Sequence, residues 1–338
     1  MQKVLLSILF AVSGCLLAFR AVENSASPPD WPGDWPEPMY NFADNPFSEE
    51  GFELGRKLFY DPELSRDKTI SCATCHLQYT GFAHVDHNVS HGIEGRKGTR
   101  NAPALINLIW QSSFHWDGGV NHLDAQAINP ITHPAEMDNT LENVLDYLRS
   151  SMEYKVLFHD VFGDSSATSR ALFHAISLYT TSLISSDSKY DQYMRNEIEF
   201  TDQEKKGLQL FRTHCAVCHR EPLFQTNGFA SNGLSMDSNY RDVGRFAITH
   251  QGRDSMHFKI PTLRNIEVTF PYMHDGRFRK LREVLDHYAS IRLDQKYLNP
   301  ELQKRIALSP EDKKDLIAFL YTLTDRKFLY NPRLSFPR

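Results

Sequence analysis

The chain has 338 residues, and its 37 lysines and arginines stand against 42 aspartates and glutamates, which gives a formal net charge of −5 at pH 7. This length is large for one hydrophobic core and suits two domains with a connecting segment. The charge is modest and no long block of basic residues occurs, so nucleic acid is excluded as an expected partner.

Residues 1–22 have the pattern of an export signal. Lys3 supplies the positive start, and residues 4–12 form an apolar stretch. The run Val-Ser-Gly-Cys at 12–15 resembles a lipobox, which would leave Cys15 lipidated and the protein tethered to a membrane. The apolar stretch is short for a spanning helix of about 20 residues, although an uncleaved anchor is the other alternative. The sequence therefore predicts a periplasmic protein, either free or held to a membrane as a lipoprotein.

Residues 23–44 are rich in proline and include Trp31 and Trp35. Such a composition is typical of an extended tether or of a strap that lies on a folded surface. We assign no chemistry to this segment.

The motif Cys-x-x-Cys-His occurs twice. The first copy contains Cys72, Cys75 and His76, and the second contains Cys215, Cys218 and His219. In each copy the two thiols can bond to the vinyl groups of a haem, and the histidine can bind its iron from the proximal side. Zinc ligands would be expected as paired sets close in sequence, whereas these copies lie a domain's length apart. The sequence predicts two covalently bound haem c groups, and haem c attachment in bacteria takes place outside the cytoplasmic membrane, in agreement with export.

A repeated helical pattern precedes the two motifs. Residues 54–59 before the first motif match residues 206–211 before the second. Thr201 and Glu204 form a capping-box pattern that starts the second of these helices. Ser309, followed by proline, starts a last helix in the same way.

Few stretches alternate between apolar and polar residues as strands do, so we predict a mostly α-helical fold. The expected architecture is two cytochrome c-type haem domains packed face to face. The first would span residues 45–199, and the second would span residues 200–338.

Four segments follow the first motif in a specific order. They are Arg-Asn-Ala-Pro-Ala-Leu at 100–105, Phe-His-Trp-Asp-Gly-Gly at 114–119, Gln126, and Pro-Ala-Glu-Met at 134–137. In order and spacing they resemble the bacterial dihaem cytochrome c peroxidases and their MauG-like relatives. The resemblance extends from about residue 45 to the last helix. It implies that residues 45–199 form the peroxidatic domain and residues 200–338 the electron-transfer domain. It implies hydrogen peroxide as a substrate, and a small electron-donor protein or a protein substrate as the partner.

The resemblance assigns roles to three residues near the first haem. Glu136 would be the acid and base that moves a proton between the peroxide oxygens, and burial would raise the pKa of its carboxyl. Gln126 would orient the peroxide or a water molecule. Trp116 would relay electrons or holes between the haems. The alternatives are a solvated helix-start residue for Glu136 and a large core side chain for Trp116.

Tyr288 stands where the peroxidases carry the methionine that ligates the second haem, counted from the His-Asp-Gly turn at 274–276. A tyrosine at this position resembles the MauG-like branch. Met273, before the turn, and His287, on a different helix face, are competing ligands. A phenolate would stabilise ferric and higher states of the iron, whereas a thioether would raise its reduction potential.

His91 lies in the loop where many peroxidases carry a histidine that ligates the first haem. It stands two residues further from Arg100 than the family spacing requires, and His84 and His87 are nearby. A surface histidine is the alternative. We expect a first haem that is open to peroxide without prior reduction of its partner.

The resemblance also implies one calcium ion between the domains. Asn101, Thr269 and Pro271 fall on the family's ligand positions, through one side-chain amide and two backbone carbonyls. Oxygen ligands and retained water molecules suit calcium.

Three functions therefore remain open. The first is a dihaem peroxidase that reduces hydrogen peroxide at the N-terminal haem. The second is MauG-like oxidation of a partner protein through a high-valent state of the two haems. The third is a non-enzymatic dihaem electron carrier, which would show two six-coordinate irons that are inert to peroxide.

Overall fold

The computed structural model describes residues 28–304 and 306–337. The predicted export signal and Cys15 lie outside these residues. Within them, no helix combines the length and the apolarity that a bilayer span requires.

The described residues fold into α-helices joined by loops and short 3-10 turns, with one two-stranded antiparallel ribbon. The helices are α1 Glu49–Tyr60, α2 Cys72–Cys75, α3 Ile128–Thr132, α4 Leu141–Ser150, α5 Met152–Phe162, α6 Ser169–Thr181, α7 Lys189–Met194, α8 Asp202–His214, α9 Phe246–Thr249, α10 Leu281–Ala289, α11 Pro310–Tyr321 and α12 Arg326–Leu329. The strands are β1 Phe229–Ala230 and β2 Phe258–Lys259. The mostly helical fold expected from the sequence is confirmed.

The predicted helix starts at Thr201 and Ser309 are also confirmed. The Thr201 hydroxyl accepts a hydrogen bond from the Glu204 backbone N–H, and the Glu204 carboxylate accepts one from the Thr201 N–H at 2.8 Å. Ser309 and Asp312 form the same reciprocal pair at the start of α11. Each pair satisfies amide donors that a helix end otherwise leaves free.

Each half is built on one close helix crossing, at a glycine in the repeated sequence pattern. Gly55 of α1 lies against α6, where a Cβ atom would come within 1.9 Å of the Ala175 carbonyl oxygen. Gly207 of α8 lies against α11, where a Cβ atom would come within 2.0 Å of the Asp315 carbonyl oxygen. The repeat therefore preserves the residue that allows two helix backbones to touch.

The end of the chain returns to the N-terminal half. Phe328 of α12 packs against Phe82, with ring centroids 5.7 Å apart. The Leu334 carbonyl oxygen accepts hydrogen bonds from the hydroxyls of Tyr60 and Tyr179, at 2.8 and 2.7 Å. Packing thus crosses the division that the sequence places near residue 200.

A buried arginine ties α7 to the C-terminal half. Arg264 is fully buried and forms a bidentate ion pair with Asp191, at 2.7 and 2.8 Å. Its guanidinium also donates to the Pro222 carbonyl oxygen and lies 4.5 Å from the centre of the Trp35 ring. A buried charge of this kind is stable only when its partners are in place.

The proline-rich segment lies on the folded surface over its described part, residues 28–44. Trp35 is buried and packs edge-on against Trp110, with centroids 5.1 Å apart. The Trp110 indole N–H donates to the Pro36 carbonyl oxygen at 2.7 Å, and the Ile109 carbonyl accepts two backbone hydrogen bonds from the segment. These contacts fix the segment as a strap.

Four buried polar residues join the two halves. The Asn107 side chain exchanges hydrogen bonds with the Ser185 backbone, at 2.9 and 3.2 Å. The Ser185 hydroxyl accepts from the Asn265 amide at 2.9 Å and donates to the Asp325 carboxylate at 3.1 Å. The Asn265 side-chain oxygen accepts from the Asp325 backbone N–H at 2.7 Å. We call these four residues the polar junction.

Replacing Gly207 with alanine should destabilise the C-terminal half, because the new Cβ atom would push α8 away from the α11 backbone. Overpacking of this kind costs about 1–3 kcal/mol, more than the roughly 1 kcal/mol that alanine adds to helix propensity. Thermal unfolding followed by circular dichroism should show a lower midpoint. Gly33→Ala is the matched control, because no atom lies within 4 Å of its Cβ position. Equal midpoints for the two variants would contradict the close crossing.

Candidate active site

A single cavity of about 870 Å³ lies between the two halves, and both Cys-x-x-Cys-His motifs contribute to its wall. Trp116 lies on the same wall. The volume is near the upper end of ordinary small-molecule pockets, which reach roughly 1,000 Å³. One continuous space therefore serves both motifs.

The first motif forms the one-turn helix α2 and the residue after it. The Ser71 backbone N–H donates to the Thr74 hydroxyl at 3.0 Å, which starts the turn. Burial raises the pKa of the Cys72 thiol to about 12. Burial and the nearby Glu136 carboxylate raise the pKa of the Cys75 thiol to about 11. Both thiols are therefore protonated at neutral pH.

Each motif histidine is held by a backbone carbonyl. The His76 Nδ1 donates to the Phe82 carbonyl oxygen at 2.7 Å, and the His219 Nδ1 donates to the carbonyl oxygens of Pro261 and Phe224 at 3.1 and 3.3 Å. Phe82 and Phe224 both have left-handed backbones, with φ values of 55° and 53°. These bonds fix the tautomer and leave Nε2 of each ring for a metal.

Burial lowers the pKa of His76 and of His219 to about 4 in each case. Both imidazoles are therefore neutral at physiological pH, which is the form that ligates a metal ion. The paired thiols, the oriented neutral imidazoles and the shared cavity fit two covalently attached haems.

Lys259 is a second feature that fits haem, and the sequence analysis did not identify it. It is buried on the cavity wall, its ammonium has no carboxylate partner in the part of the chain that the structure describes, and burial lowers its pKa to about 8. An anionic group such as a haem propionate would compensate this charge. The sequence signal that could have identified this residue is its position between Phe258 and Ile260, a charged side chain between two apolar ones.

Glu136 and Gln126 lie on the wall of the same cavity. Burial raises the pKa of the Glu136 carboxyl above its ordinary value of 4.5. The Glu136 backbone is held by the Ile93 N–H, which donates to its carbonyl oxygen at 2.9 Å. Gly92 allows this approach, because a Cβ atom there would lie 2.1 Å from the Glu136 oxygen. The structure thus places both residues on the cavity wall, and the Glu136 carboxylate is close enough to the first motif to raise the pKa of Cys75.

Trp116 is held by both halves of the molecule. Its indole N–H donates to the Asn101 carbonyl oxygen at 2.8 Å, and its own carbonyl oxygen accepts from the Lys259 backbone N–H at 2.7 Å. Lys259 belongs to β2 of the C-terminal half, so these bonds fix the indole relative to both motifs.

Arg100 makes a further link across the cavity. It forms a bidentate ion pair with Asp242, at 2.6 and 2.8 Å, and donates to Asp117 at 2.5 Å. The Arg100 guanidinium holds the pKa of the half-buried Asp242 carboxyl below its ordinary value, against the effect of burial. In the sequence, no signal marks Arg100 beyond its place in the motif at 100–105.

The two halves repeat a turn that places a side chain on the cavity wall. The Phe114 N–H donates to the Val120 carbonyl and the Tyr272 N–H to the Phe278 carbonyl, both at 2.7 Å. The second residue of each turn has a left-handed backbone and lines the cavity. These residues are His115, with a φ of 64°, and Met273, with a φ of 75°.

The three candidate ligands of the second haem differ in their surroundings. Tyr288 lies on the cavity wall near Cys215 and Cys218, and burial raises the pKa of its phenol to about 12. The Met273 sulfur accepts a hydrogen bond from the Asn232 amide at 3.3 Å. The His287 Nε2 donates to the Asn232 carbonyl oxygen at 2.9 Å. Both competitors are thus bonded to one asparagine.

The imidazole of His91 lies among other histidines. Its ring centroid is 4.3 Å from that of His87 and 5.1 Å from that of His84. Its carbonyl oxygen accepts from the Cys75 thiol at 3.3 Å.

The three residues at the predicted calcium positions, Asn101, Thr269 and Pro271, line the same cavity. The Asn101 amide nitrogen donates to the Asn88 carbonyl at 3.1 Å, and its side-chain oxygen is the group that an ion would use. An oxygen donor set fits calcium. Calcium binding stays a prediction.

Comparison with known proteins gives the family. The family model described as di-haem cytochrome c peroxidase matches residues 49–199, and the cytochrome c model matches residues 204–324. The methylamine utilization protein MauG of Methylorubrum extorquens is 34% identical over 85% of this chain and 82% of its own length. The chain belongs to the dihaem cytochrome c peroxidase and MauG family.

Proteins named MauG and proteins named cytochrome c peroxidase are both similar to this chain. The cytochrome c551 peroxidase of Pseudomonas aeruginosa is 33% identical over 89% of this chain and 85% of its own. A solved structure of a MauG-like protein associated with microbial copper homeostasis is 32% identical and has a TM-score of 0.81, covering 91% of this chain and 99% of that one. The resemblance stated from the sequence is confirmed, and the chain is a hydrogen peroxide-dependent oxidoreductase of this family with two c-type haem domains.

Substituting Tyr288 with phenylalanine should change the ligation of the second haem, because it removes the only oxygen of that side chain. Optical and EPR spectra of the ferric protein should lose one low-spin component while haem content stays at two per chain. Met273→Leu and His287→Gln are the matched controls and should leave that component in place. If one of the controls lost the low-spin component and Tyr288→Phe kept it, the residue replaced in that control would be the ligand of the second haem.

Proposed function

We propose that the chain reduces hydrogen peroxide at the N-terminal haem, with Glu136 and Gln126 acting on the peroxide. The observation that carries the proposal is a carboxyl of raised pKa on the cavity wall beside the first haem-attachment motif. A group whose pKa lies nearer to neutrality can both accept and donate a proton at physiological pH.

A haem held by Cys72, Cys75 and His76 would supply an iron that can bind peroxide and provide electrons to it. Glu136 accepts a proton from the peroxide oxygen near the haem and returns it to the far oxygen, which leaves as water. The Gln126 amide donates a hydrogen bond that holds the peroxide in position. Two electrons from a donor and two protons complete the reduction to a second water.

Trp116 connects the two haem sites in this proposal. Its two hydrogen bonds, to Asn101 and from Lys259, support a fixed path for electrons or holes between the halves. A calcium ion at Asn101, Thr269 and Pro271 would order the segment whose carbonyl holds the indole. The ion would then act on electron transfer through the position of Trp116.

Oxidation of a partner protein is the second candidate, and Tyr288 favours it. A phenolate on the second iron would lower its reduction potential and make it a poor acceptor for electrons from a high-potential cytochrome c. The same ligand would stabilise an oxidising equivalent that Trp116 passes from the first haem. A protein substrate would then supply the electrons in place of a small donor.

We also propose a periplasmic location, with Cys15 as a point of membrane attachment. The signal pattern of residues 1–22 and the requirement for haem c attachment outside the cytoplasmic membrane support this location.

Replacing Glu136 with glutamine should slow peroxide cleavage by about 10²–10⁴-fold, because the amide cannot accept the proton. Stopped-flow mixing of the purified protein with hydrogen peroxide measures this rate. Since the carboxylate form is the proton acceptor, the wild-type rate should fall as pH drops through a pKa above 4.5, and the variant should lose this dependence.

Glu142→Gln is the matched control, because Glu142 is an exposed residue in the first turn of α4. It should retain the wild-type rate and pH profile. Equal slowing of the two variants, or an unchanged rate in Glu136→Gln, would remove Glu136 from the mechanism.

Tyr288→Met should separate the two candidate functions. A thioether in place of the phenolate should raise the potential of the second haem, and about 59 mV changes a one-electron equilibrium tenfold. We expect the variant to oxidise reduced cytochrome c with peroxide at least about tenfold faster than the wild type. The opposite result would be a wild type that already turns over rapidly with cytochrome c, with no further increase in the variant. That result would favour the conventional peroxidase.

A further inference from the structure

Three histidines of one loop converge outside the haem cavity. The ligand nitrogens of His84, His87 and His91 all lie within 4.8 Å of one another. Their ring centroids are 4.3 to 5.4 Å apart. Near this loop, the cavity wall is formed by Cys75 and Ser90. We call the three residues the histidine triad.

Two ring nitrogens of the triad have no partner. The Nδ1 atoms of His84 and His91 are buried and have no hydrogen bond in the part of the chain that the structure describes. A buried polar atom left unpaired costs about 1–3 kcal/mol, and such atoms are rare in native proteins. An ion bound between the rings would satisfy both atoms.

The loop that carries the triad is fixed by its surroundings. The Ser90 N–H donates to the Arg100 carbonyl at 2.8 Å, one residue before His91. The Arg279 guanidinium, from the C-terminal half, donates to the Val85 carbonyl at 3.1 Å, one residue after His84. Hydrogen bonds from both halves therefore hold the backbone that carries the three rings. A bound ion would not have to order this loop.

The chemistry of the triad selects a class of ion. Imidazole nitrogen suits zinc, copper and nickel, whereas calcium and magnesium require oxygen ligands. Three histidines with an open fourth position are an established arrangement for zinc. His87 is exposed and gives an entry path, and the nearby Asp86 carboxylate adds a negative charge beside His84 and His91.

We propose that His84, His87 and His91 bind one divalent transition-metal ion through three imidazole nitrogens, with water in the fourth position. This site is separate from the two haem irons and from the predicted calcium position, and it does not rest on the proposed function. Zinc is the probe of choice because it has no redox chemistry of its own.

The test uses the full-length protein with both haems and without a histidine tag. The protein is stripped with EDTA, calcium is restored, and zinc is titrated by calorimetry. We expect one zinc ion per chain, and zinc-edge X-ray absorption should show three nitrogen ligands at about 2.0–2.1 Å. His87→Gln should weaken zinc binding at least about tenfold, the lower limit for disturbing even an outer partner of a metal site.

His159→Gln is the matched control, because His159 is an exposed histidine of α5. It should bind zinc as the wild type does. The haem spectrum and thermal midpoint of His87→Gln should equal those of the wild type, since an exposed side chain is replaced.

Equal zinc affinity in His87→Gln and the wild type would overturn the proposal, as would an absorption spectrum without three nitrogen ligands. A third result would also overturn it. If His91→Gln changed the ferric haem spectrum of the zinc-free protein, the His91 imidazole would face the first iron and not the triad. Unchanged haem spectra in His91→Gln, together with lost zinc binding, are the expected outcome.

Discussion

The relative position of the two halves depends on the polar junction of Asn107, Ser185, Asn265 and Asp325. These side chains are at most 2% exposed, and each hydrogen bond joins segments far apart in the chain. Every unpaired donor or acceptor at such depth costs about 1–3 kcal/mol, so sliding one half over the other would break several bonds together. The junction therefore sets the width of the cavity, which a purely apolar interface would define less sharply.

A fixed cavity matters because the proposed chemistry is divided between two sites. Glu136, the proposed proton-transfer group, lies near the first motif, and the ligand candidates of the second haem lie on α10 and the turn before it. Trp116 is bonded to both halves, and the Arg100 pair with Asp242 spans the same gap. Movement of one half relative to the other would strain or break the hydrogen bonds that hold Trp116. A fixed arrangement of the halves thus supports the proposed electron transfer as well as stability.

Short sequence patterns predicted those elements that depend on interactions between residues close together in the chain. The haem motifs, the caps at Thr201 and Ser309 and the repeated pattern before each motif depend on residues a few positions apart, and the structure contains the expected helices. The roles of Lys259 and of Arg100 depend on partners more than a hundred residues away or on a buried cavity, and no periodicity encodes such contacts. The return of α12 to the N-terminal half has the same origin, because Leu334 contributes a backbone carbonyl that any residue could supply.

The contacts of Asn232 bear on which residue ligates the second haem, a choice that the sequence left open. Its amide donates to the Met273 sulfur and its carbonyl accepts from His287, so one residue occupies a polar atom of both competitors. Binding of iron by the His287 Nε2 would break its bond to the Asn232 carbonyl oxygen and leave that oxygen unsatisfied. The Met273 sulfur has a second lone pair and could bind iron while it accepts the Asn232 hydrogen bond. Burial raises the pKa of the Tyr288 phenol to about 12, and a hydrogen bond with the Asn232 side chain acts in the opposite direction. Iron would supply the positive charge that the phenol needs in order to lose its proton. Asn232 therefore contacts all three candidates, and Tyr288 stays the predicted ligand because of its position in the family pattern.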